Sequence, residues 1–310
     1  MRINPAFPLH RPRKRFGQHF LEPAWVEKLV AAINPQPHET FIEIGPGRGA
    51  LTRPLAARAK AVMAFEIDRD LAAELRETAP GNVTVVEGDF LETASRLLAD
   101  ESRRGPAGTL RAAGNLPYNV ASPMMFTLAD LSRRGVALAD ATLMLQREVA
   151  DRLTAPPGSR DYGVLSVLIG HRAGVSRVLT LPSGAFRPAP KVQSAVVRLR
   201  FHDPDPPVAD EDLFADIVQA VFTRRRKTLA NALLAYAGPA RGRDRDGVVP
   251  GRGRGGDAVV PGWGRDRDGI LTGTIRAALV AAGIDGRRRP ETLAIAEFAR
   301  LADAYRAVTS

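Results

Sequence analysis

Phe41-Ile-Glu-Ile-Gly45-Pro-Gly47-Arg-Gly49 decides the fold. The apolar run Phe41 to Ile44 reads as a short buried strand, and the glycines that follow end it. A helix is expected immediately after, over Leu51 to Ala59. Glycines in such a turn let the backbone approach a ligand closely, and the helix N-terminus offers unsatisfied N–H groups. Glu66 lies 21 positions after Gly45, at the end of a second expected strand, where a carboxylate would hold ribose hydroxyls. The loop therefore addresses a nucleotide or nucleoside cofactor without saying which. Gly45, Gly47 and Ala50 satisfy the loose dinucleotide pattern, so S-adenosylmethionine and NAD fit it equally.

Strand and helix signals alternate on both sides of this loop. A helix is expected over Pro23 to Ile33, with Val26, Leu29, Val30 and Ile33 at helical spacing. Strands are expected at Ala61 to Ile67, Val83 to Val86, Leu110 to Ala113 and Ala141 to Leu145, with helices at Leu71 to Thr78, Thr93 to Arg103 and Pro123 to Ser132 between them. Val175 to Leu179 and Ala195 to Phe201 read as a final pair of strands. The alternation implies an α/β domain with a parallel, doubly wound sheet. Asp203-Pro-Asp-Pro-Pro207 breaks the composition, and helical patterns follow at 211–236, Ile270 to Ala282 and Glu291 to Val308. The expected organisation is a basic arm over 1–20, an α/β domain over 21–206 and a small all-α domain over 207–310. Within the last, residues 238–268 repeat Gly-Arg-Asp-Arg-Asp-Gly and Val-Val-Pro-Gly, a composition too polar to offset the entropy of ordering, and read as a disordered insertion.

The 310 residues suit about two domains at roughly 150 residues each. With no cysteine, disulfides, thiolate-bound metals and thiol catalysis are excluded, and the five scattered histidines include no pair at ligand spacing, so no metal is expected. Lys and Arg exceed Asp and Glu by 44 to 34, a formal charge of +10, which points to an anionic partner, nucleic acid before membrane. The basic start has no apolar run behind it, and no stretch approaches the roughly 20 apolar residues of a spanning helix, so a cytoplasmic protein that is not membrane-bound is expected. A monomer is the default expectation, since no pattern suggests an interface.

Two further motifs carry chemistry. Gly88-Asp89-Phe90 follows the third strand and places a carboxylate where it could accept from the exocyclic amine of a cofactor adenine. Asn115-Leu116-Pro117-Tyr118 lies at the carboxyl end of the next strand, beside the crevice where open α/β sheets bind ligands. Pro117 restrains the backbone, so the Asn115 side-chain oxygen and the Leu116 carbonyl can together accept from an amino group, and Tyr118 offers a ring on which a base can stack.

These motifs resemble the ribosomal RNA adenine dimethyltransferase family of the KsgA type. The resemblance extends through Arg13-Lys-Arg-Phe-Gly-Gln-His-Phe-Leu21, Glu66-Ile-Asp68, Gly114 to Asn119, Gln146 to Val149, Tyr162 to Ser166, Phe186-Arg-Pro-Ala-Pro-Lys-Val192 and Arg225 to Thr228, in family order. The 238–268 insertion departs from the family pattern, and His19 stands where the family often has Asn. The resemblance implies a Rossmann-like S-adenosylmethionine-dependent methyltransferase domain followed by a small helical domain. It also implies dimethylation of N6 of two adjacent adenosines near the 3′ end of 16S rRNA, with the immature small ribosomal subunit as partner. It assigns cofactor contacts to His19, Leu21, Gly45, Gly47, Glu66, Asp89 and Asn115, and the target amine to Asn115, Leu116, Pro117 and Tyr118, with Phe186 sandwiching the flipped adenine opposite Tyr118. Phosphate contacts are expected from Arg13, Lys14, Arg15 and from Arg224, Arg225, Arg226 and Lys227, with Arg287 to Arg289 a weaker candidate. Three other readings compete: a large-subunit rRNA methyltransferase of the macrolide-resistance type, a non-catalytic assembly factor, and an NAD enzyme that would leave Asn115 to Tyr118 unexplained.

Overall fold

The computed structural model of the protein describes residues 19–101, 110–118, 120–234, 236 and 270–310. Arg13, Lys14 and Arg15 and the 238–268 insertion lie outside the described residues.

The chain divides into two compact units, one of Met1–Ala150 with Gly174–Phe201 and one of Asp151–Ala173 with His202–Ser310. The first holds a seven-stranded sheet in the order β4-β3-β2-β5-β6-β9-β7. Its strands are β2 (Thr40–Ile44), β3 (Ala61–Glu66), β4 (Val83–Glu87), β5 (Leu110–Asn115), β6 (Leu138–Gln146), β7 (Ala173–Leu181) and β9 (Ser194–Phe201). The five strands from β4 to β6 are parallel, but β9 runs antiparallel to β6, so the sheet is mixed rather than wholly parallel. The strand order reverses between β2 and β5, the position at which open α/β sheets form a ligand crevice beyond their carboxyl ends.

Local sequence accounts for most of the elements in this unit. Helix α1 (Pro23–Ile33) starts with proline at its first turn, buries Val26, Leu29, Val30 and Ile33, and ends at Asn34 in the left-handed region. Those four side chains contribute about 1.5–3 kcal/mol each, as upper bounds. Helix α2 (Thr52–Ala56) is shorter than its expected span. Helix α3 (Arg69–Thr78) is capped by the Asp68 carboxylate, which accepts from Asp70 N–H. Helices α4 (Phe90–Glu101) and α5 (Ala121–Arg133) complete the crossovers. A two-residue strand β1 (Phe20–Leu21) pairs antiparallel with β8 (Phe186–Arg187), an element too short for any periodicity to announce.

The second unit includes α7 (Val164–Gly170), α8 (Glu211–Thr223), α9 (Leu229–Leu233), α10 (Ile270–Ala281) and α11 (Ile295–Thr309). Residues 151–173 belong here rather than to the α/β domain expected over 21–206, because Tyr162 and Val167 are buried in the helical core with Phe214, Ile217 and Phe298. The helix expected across 211–236 is broken, with Arg224 to Lys227 forming a turn between α8 and α9. Helices α6 (Arg147–Leu153) and α7 are not among the elements expected from the sequence. No helix among the described residues is long and apolar enough to cross a membrane.

The amino end of the sheet is fastened by a buried ion network. Arg111 on β5 donates through Nε and Nη2 to both oxygens of Asp140 on β6, each at 2.8 Å, and through Nη1 to Glu39 at 2.9 Å. Its Nη2 also donates to the Ile33 carbonyl at 2.9 Å, and Arg198 on β9 reaches the Ala32 carbonyl. Two guanidinium groups thus satisfy the last carbonyls of α1 while joining three strands. Arg111→Met would leave two carboxylates buried beside a single remaining cation. The expected cost is about 3–5 kcal/mol, seen as a fall in Tm of about 10 °C. A melting curve matching that of the parent protein would contradict this role.

Candidate active site

The crevice between β2 and β5 forms because two backbones meet closely there. A Cβ on Gly114 would lie 2.5 Å from the Ile44 carbonyl oxygen, so only glycine fits at this point of β5. Beyond Ile44 the loop turns through left-handed Gly45, Gly47 and Gly49, with φ of 69°, 57° and 74°. Gly47 packs under the Phe20 ring, where a Cβ would come within 3.2 Å, and the Arg48 guanidinium lies 4.4 Å from that ring's centroid. The glycine-rich stretch that suggests a cofactor loop is thus seated against β1, through a Phe20 ring to which no motif assigns a role.

Glu66 is buried at the end of β3. Its Oε2 accepts from Gly47 N–H and its Oε1 from Asp68 N–H, both at 2.9 Å. Burial raises its pKa while these N–H bonds pull the other way. Each oxygen keeps a second lone pair, enough to accept from the two hydroxyls of a ribose. Ile67, the next residue, is 45% exposed, an apolar surface beside that carboxylate to which the Glu66-Ile-Asp68 motif assigns no role. Asp89 follows β4, and its Oδ1 caps α4 by accepting from Leu91 N–H at 2.9 Å. Its Oδ2 has no partner among the described residues and stays available to an exocyclic amine.

On the other side of the crevice, Asn115 Nδ2 donates to the His19 carbonyl at 2.8 Å. That bond directs the amide's Oδ1 away from His19, as an acceptor. Leu116 is anchored by its buried side chain and by its N–H on the Met144 carbonyl at 3.0 Å. The Tyr118 hydroxyl shares a 2.7 Å hydrogen bond with the buried Ser194 hydroxyl, and burial raises its pKa, so it stays protonated near neutrality. The His19 ring stacks on Tyr118, with centroids 5.8 Å apart and planes 22° apart, and its Nδ1 donates to the Pro188 carbonyl at 2.7 Å. That ring therefore faces Tyr118, whereas the resemblance assigns His19 to the cofactor.

Phe186 requires correction. The resemblance places it against the target base opposite Tyr118, but its ring is fully buried in the core with Leu29, Leu55 and Val196, and Leu21 packs against that cluster. The pairing of Leu21 with Phe186 across β1 and β8 accompanies that burial.

Among the basic candidates of the helical unit, Arg224, Arg226 and Lys227 lie in their turn, while Arg225 donates twice to the Arg160 carbonyl at 3.1 Å. Arg288 is structural, forking onto Glu297 and donating to the Thr292 carbonyl, whereas Arg287 is exposed and pairs with Asp285. Leu229 N–H donates to the Arg288 carbonyl at 2.7 Å, which sets the loop of Arg287 and Arg289 beside the start of α9. Among the described residues, no group of three or more His, Cys, Asp or Glu side chains could hold a metal ion.

Comparison with known proteins bears on this arrangement. A family model described as ribosomal RNA adenine dimethylase matches residues 9–244. The ribosomal RNA small subunit methyltransferase A of Nitrosococcus oceani is 42% identical over 296 residues, covering 94% of this chain and 95% of its own. The protein of the same description from Acinetobacter baylyi is 39% identical over 306 residues, covering 97% and 95%. Among solved structures, a dimethyladenosine transferase from Plasmodium falciparum shares the fold at a TM-score of 0.67 and 23% identity, covering 91% of this chain and 96% of its own. The 23S rRNA methyltransferase ErmE aligns at a TM-score of 0.58 and 26% identity, covering 93% and 99%.

Glu43 lies in β2, two residues ahead of Gly45. It is 1% exposed with Oε2 unpartnered, and burial pushes its carboxyl up to about 8; Glu66 adds to the push, while Thr52 and Arg53 oppose it. The folded protein then holds a proton that the unfolded chain releases at ordinary carboxylate values. Stability should fall as pH rises toward 8, by up to about 1.4 kcal/mol per pH unit for this group. Urea unfolding at pH 5, 6.5 and 8 should show a shallower decline for Glu43→Gln; equal slopes would contradict a protonated Glu43.

Proposed function

The chain belongs to the ribosomal RNA adenine dimethylase family, and from that membership we propose that it transfers methyl groups from S-adenosylmethionine to N6 of two adjacent adenosines near the 3′ end of 16S rRNA, acting on the immature small ribosomal subunit. The observation that carries this reading is the Asn115 amide. At the end of β5, its Nδ2 donates to the His19 carbonyl, which leaves Oδ1 as the acceptor that an arriving amino group needs.

The residues around the crevice suit the cofactor. Left-handed Gly45 and Gly47 keep side chains out of the loop, the spare lone pairs of Glu66 match two ribose hydroxyls, and Asp89 Oδ2 matches the adenine amine. Phe20 supports the loop from β1 while Leu21 beside it packs on the core, and Ile67 offers an apolar face to the adenine ring. Bound there, S-adenosylmethionine supplies a methyl group on a positively charged sulfur.

The protein's part is orientation and charge complementarity rather than covalent chemistry. Asn115 Oδ1 and the Leu116 carbonyl accept from the two hydrogens of the target amine and aim its lone pair. As the nitrogen gains the methyl and with it positive charge, both acceptors offset that charge, and the surplus proton passes to solvent. Pro117 restrains the chain between these acceptors and Tyr118, and the Tyr118 ring supports the base. With its pKa raised and its hydroxyl on Ser194, Tyr118 is a platform and not a base. The adenosine must leave its stack to arrive there. Arg224, Arg226 and Lys227, with Arg13, Lys14 and Arg15, supply cations for phosphates without reading sequence.

The test is methyl transfer from radiolabelled S-adenosylmethionine to small subunits purified from cells lacking this modification. Dimethyladenosine should form at two adjacent adenosines, and Asn115→Ala should lower kcat by about a hundredfold to a thousandfold. Transfer to large-subunit RNA instead would move the assignment to that substrate, and binding of RNA without any transfer would favour a non-catalytic role.

A further inference from the structure

The chain leaves the helical unit after Ala173 and re-enters it at His202. A buried histidine joins these two passages. His171 ends α7 and is 2% exposed, with its ring centroid 4.4 Å from that of Phe214 on α8. Its Nε2 lies 2.7 Å from the Pro206 carbonyl, and its own carbonyl accepts from Asp205 N–H at 3.0 Å. The Arg172 carbonyl accepts from His202 N–H at 2.9 Å. We propose that His171 is an acid-sensitive latch: as a neutral ring it fastens residues 202–206 to the end of α7, and protonation of the ring releases them.

The hydrogen bond fixes the form of the ring. A carbonyl can only accept, so Nε2 carries the proton and Nδ1 is bare in the neutral imidazole. A second proton would go to Nδ1, which has no hydrogen-bond partner among the described residues. Of the charged groups around the ring, Arg172 and His202 oppose a positive imidazole, while Asp205 and the carboxyl end of α7 favour one. Glu211, on α8, is taken up by its ion pair with Arg172. Burial is the largest influence, and it holds the imidazole below its ordinary 6.5. Released, the ring would meet water and return to that ordinary value. The closed form thus binds the proton less readily than the open form. The latch therefore holds above about pH 6.5 and loosens as pH falls below it.

Hydrogen exchange of the full chain tests this, read from about pH 7.5 to about pH 5 and corrected for the intrinsic pH dependence of exchange. Protection of residues 202–206 should fall about tenfold across that range, while α11 keeps its protection. His171→Phe keeps an aromatic ring against Phe214 and cannot be protonated, so its protection at 202–206 should be flat with pH. The parent protein supplies a second measurement that depends on no variant. Followed by NMR, and assigned through its contact with the Phe214 ring, the His171 imidazole should titrate below 6.5. The proposal is overturned if His171 titrates at or above 6.5, or if 202–206 stays protected down to about pH 5. It is equally overturned if the loss persists in His171→Phe, or if α11 loses protection to the same degree, which is global unfolding.

Discussion

The 2.8 Å hydrogen bond from Asn115 Nδ2 to the His19 carbonyl ties together segments 96 residues apart. It connects the chain ahead of β1 to the end of β5, and it decides which end of a nearly symmetric amide meets the His19 carbonyl. Asparagine carries a donor and an acceptor at almost the same distance from its backbone, so an unrestrained amide would offer either. The His19 carbonyl can only accept, so the amide nitrogen faces it and the oxygen is the acceptor end turned away from it. The rest of the site is consistent with this choice: Gly114 lets β5 lie against Ile44, Leu116 fixes the backbone beyond, and β1 lies over the glycine loop.

Stability and chemistry occupy opposite ends of the same strands. At the amino end, Arg111, Glu39, Asp140 and Arg198 form a buried network in which charges find opposite charges or the carbonyls of α1. At the carboxyl end, Glu43 is buried with an unpartnered oxygen, and Glu66 is held by backbone N–H groups with lone pairs to spare. The first end rigidifies the sheet, and the second carries two buried carboxyl groups, Glu43 and Glu66, whose pKa values burial raises. Buried carboxyl groups of raised pKa at one end of a sheet and paired charges at the other separate the part of the molecule that can do chemistry from the part that holds it together.

Much of this is legible in the sequence because it is local. Helix α1 falls on its expected bounds, since proline at its start and a four-residue apolar stripe specify it without help from the rest of the chain. The strand, the glycines and Glu66 announce the crevice for the same reason, through spacing within one β-α-β stretch. What stays hidden depends on long-range pairing. Nothing in Phe186 itself reveals that Leu21 is its strand partner and that its ring points inward. Likewise the stacking of His19 on Tyr118 brings together rings from distant parts of the chain. The break after α8 leaves no mark in the sequence pattern because Arg and Lys are good helix formers, and the turn at Arg224 to Lys227 leaves the apolar spacing on either side helical. Arg288 reads as one of three equivalent surface arginines until its fork onto Glu297 sets it apart.

The orientation of the amide is tested most directly by Asn115→Asp, which preserves size and an acceptor oxygen and removes only the donor. Single-turnover methylation of small subunits at neutral pH would be compared for this variant and the parent protein. If the bond to the His19 carbonyl sets the site, a carboxylate facing that carbonyl is repelled, and the rate should fall about a hundredfold, some 2.7 kcal/mol. A rate within threefold of the parent would show that the acceptor alone suffices and would contradict an orienting role for the His19 carbonyl.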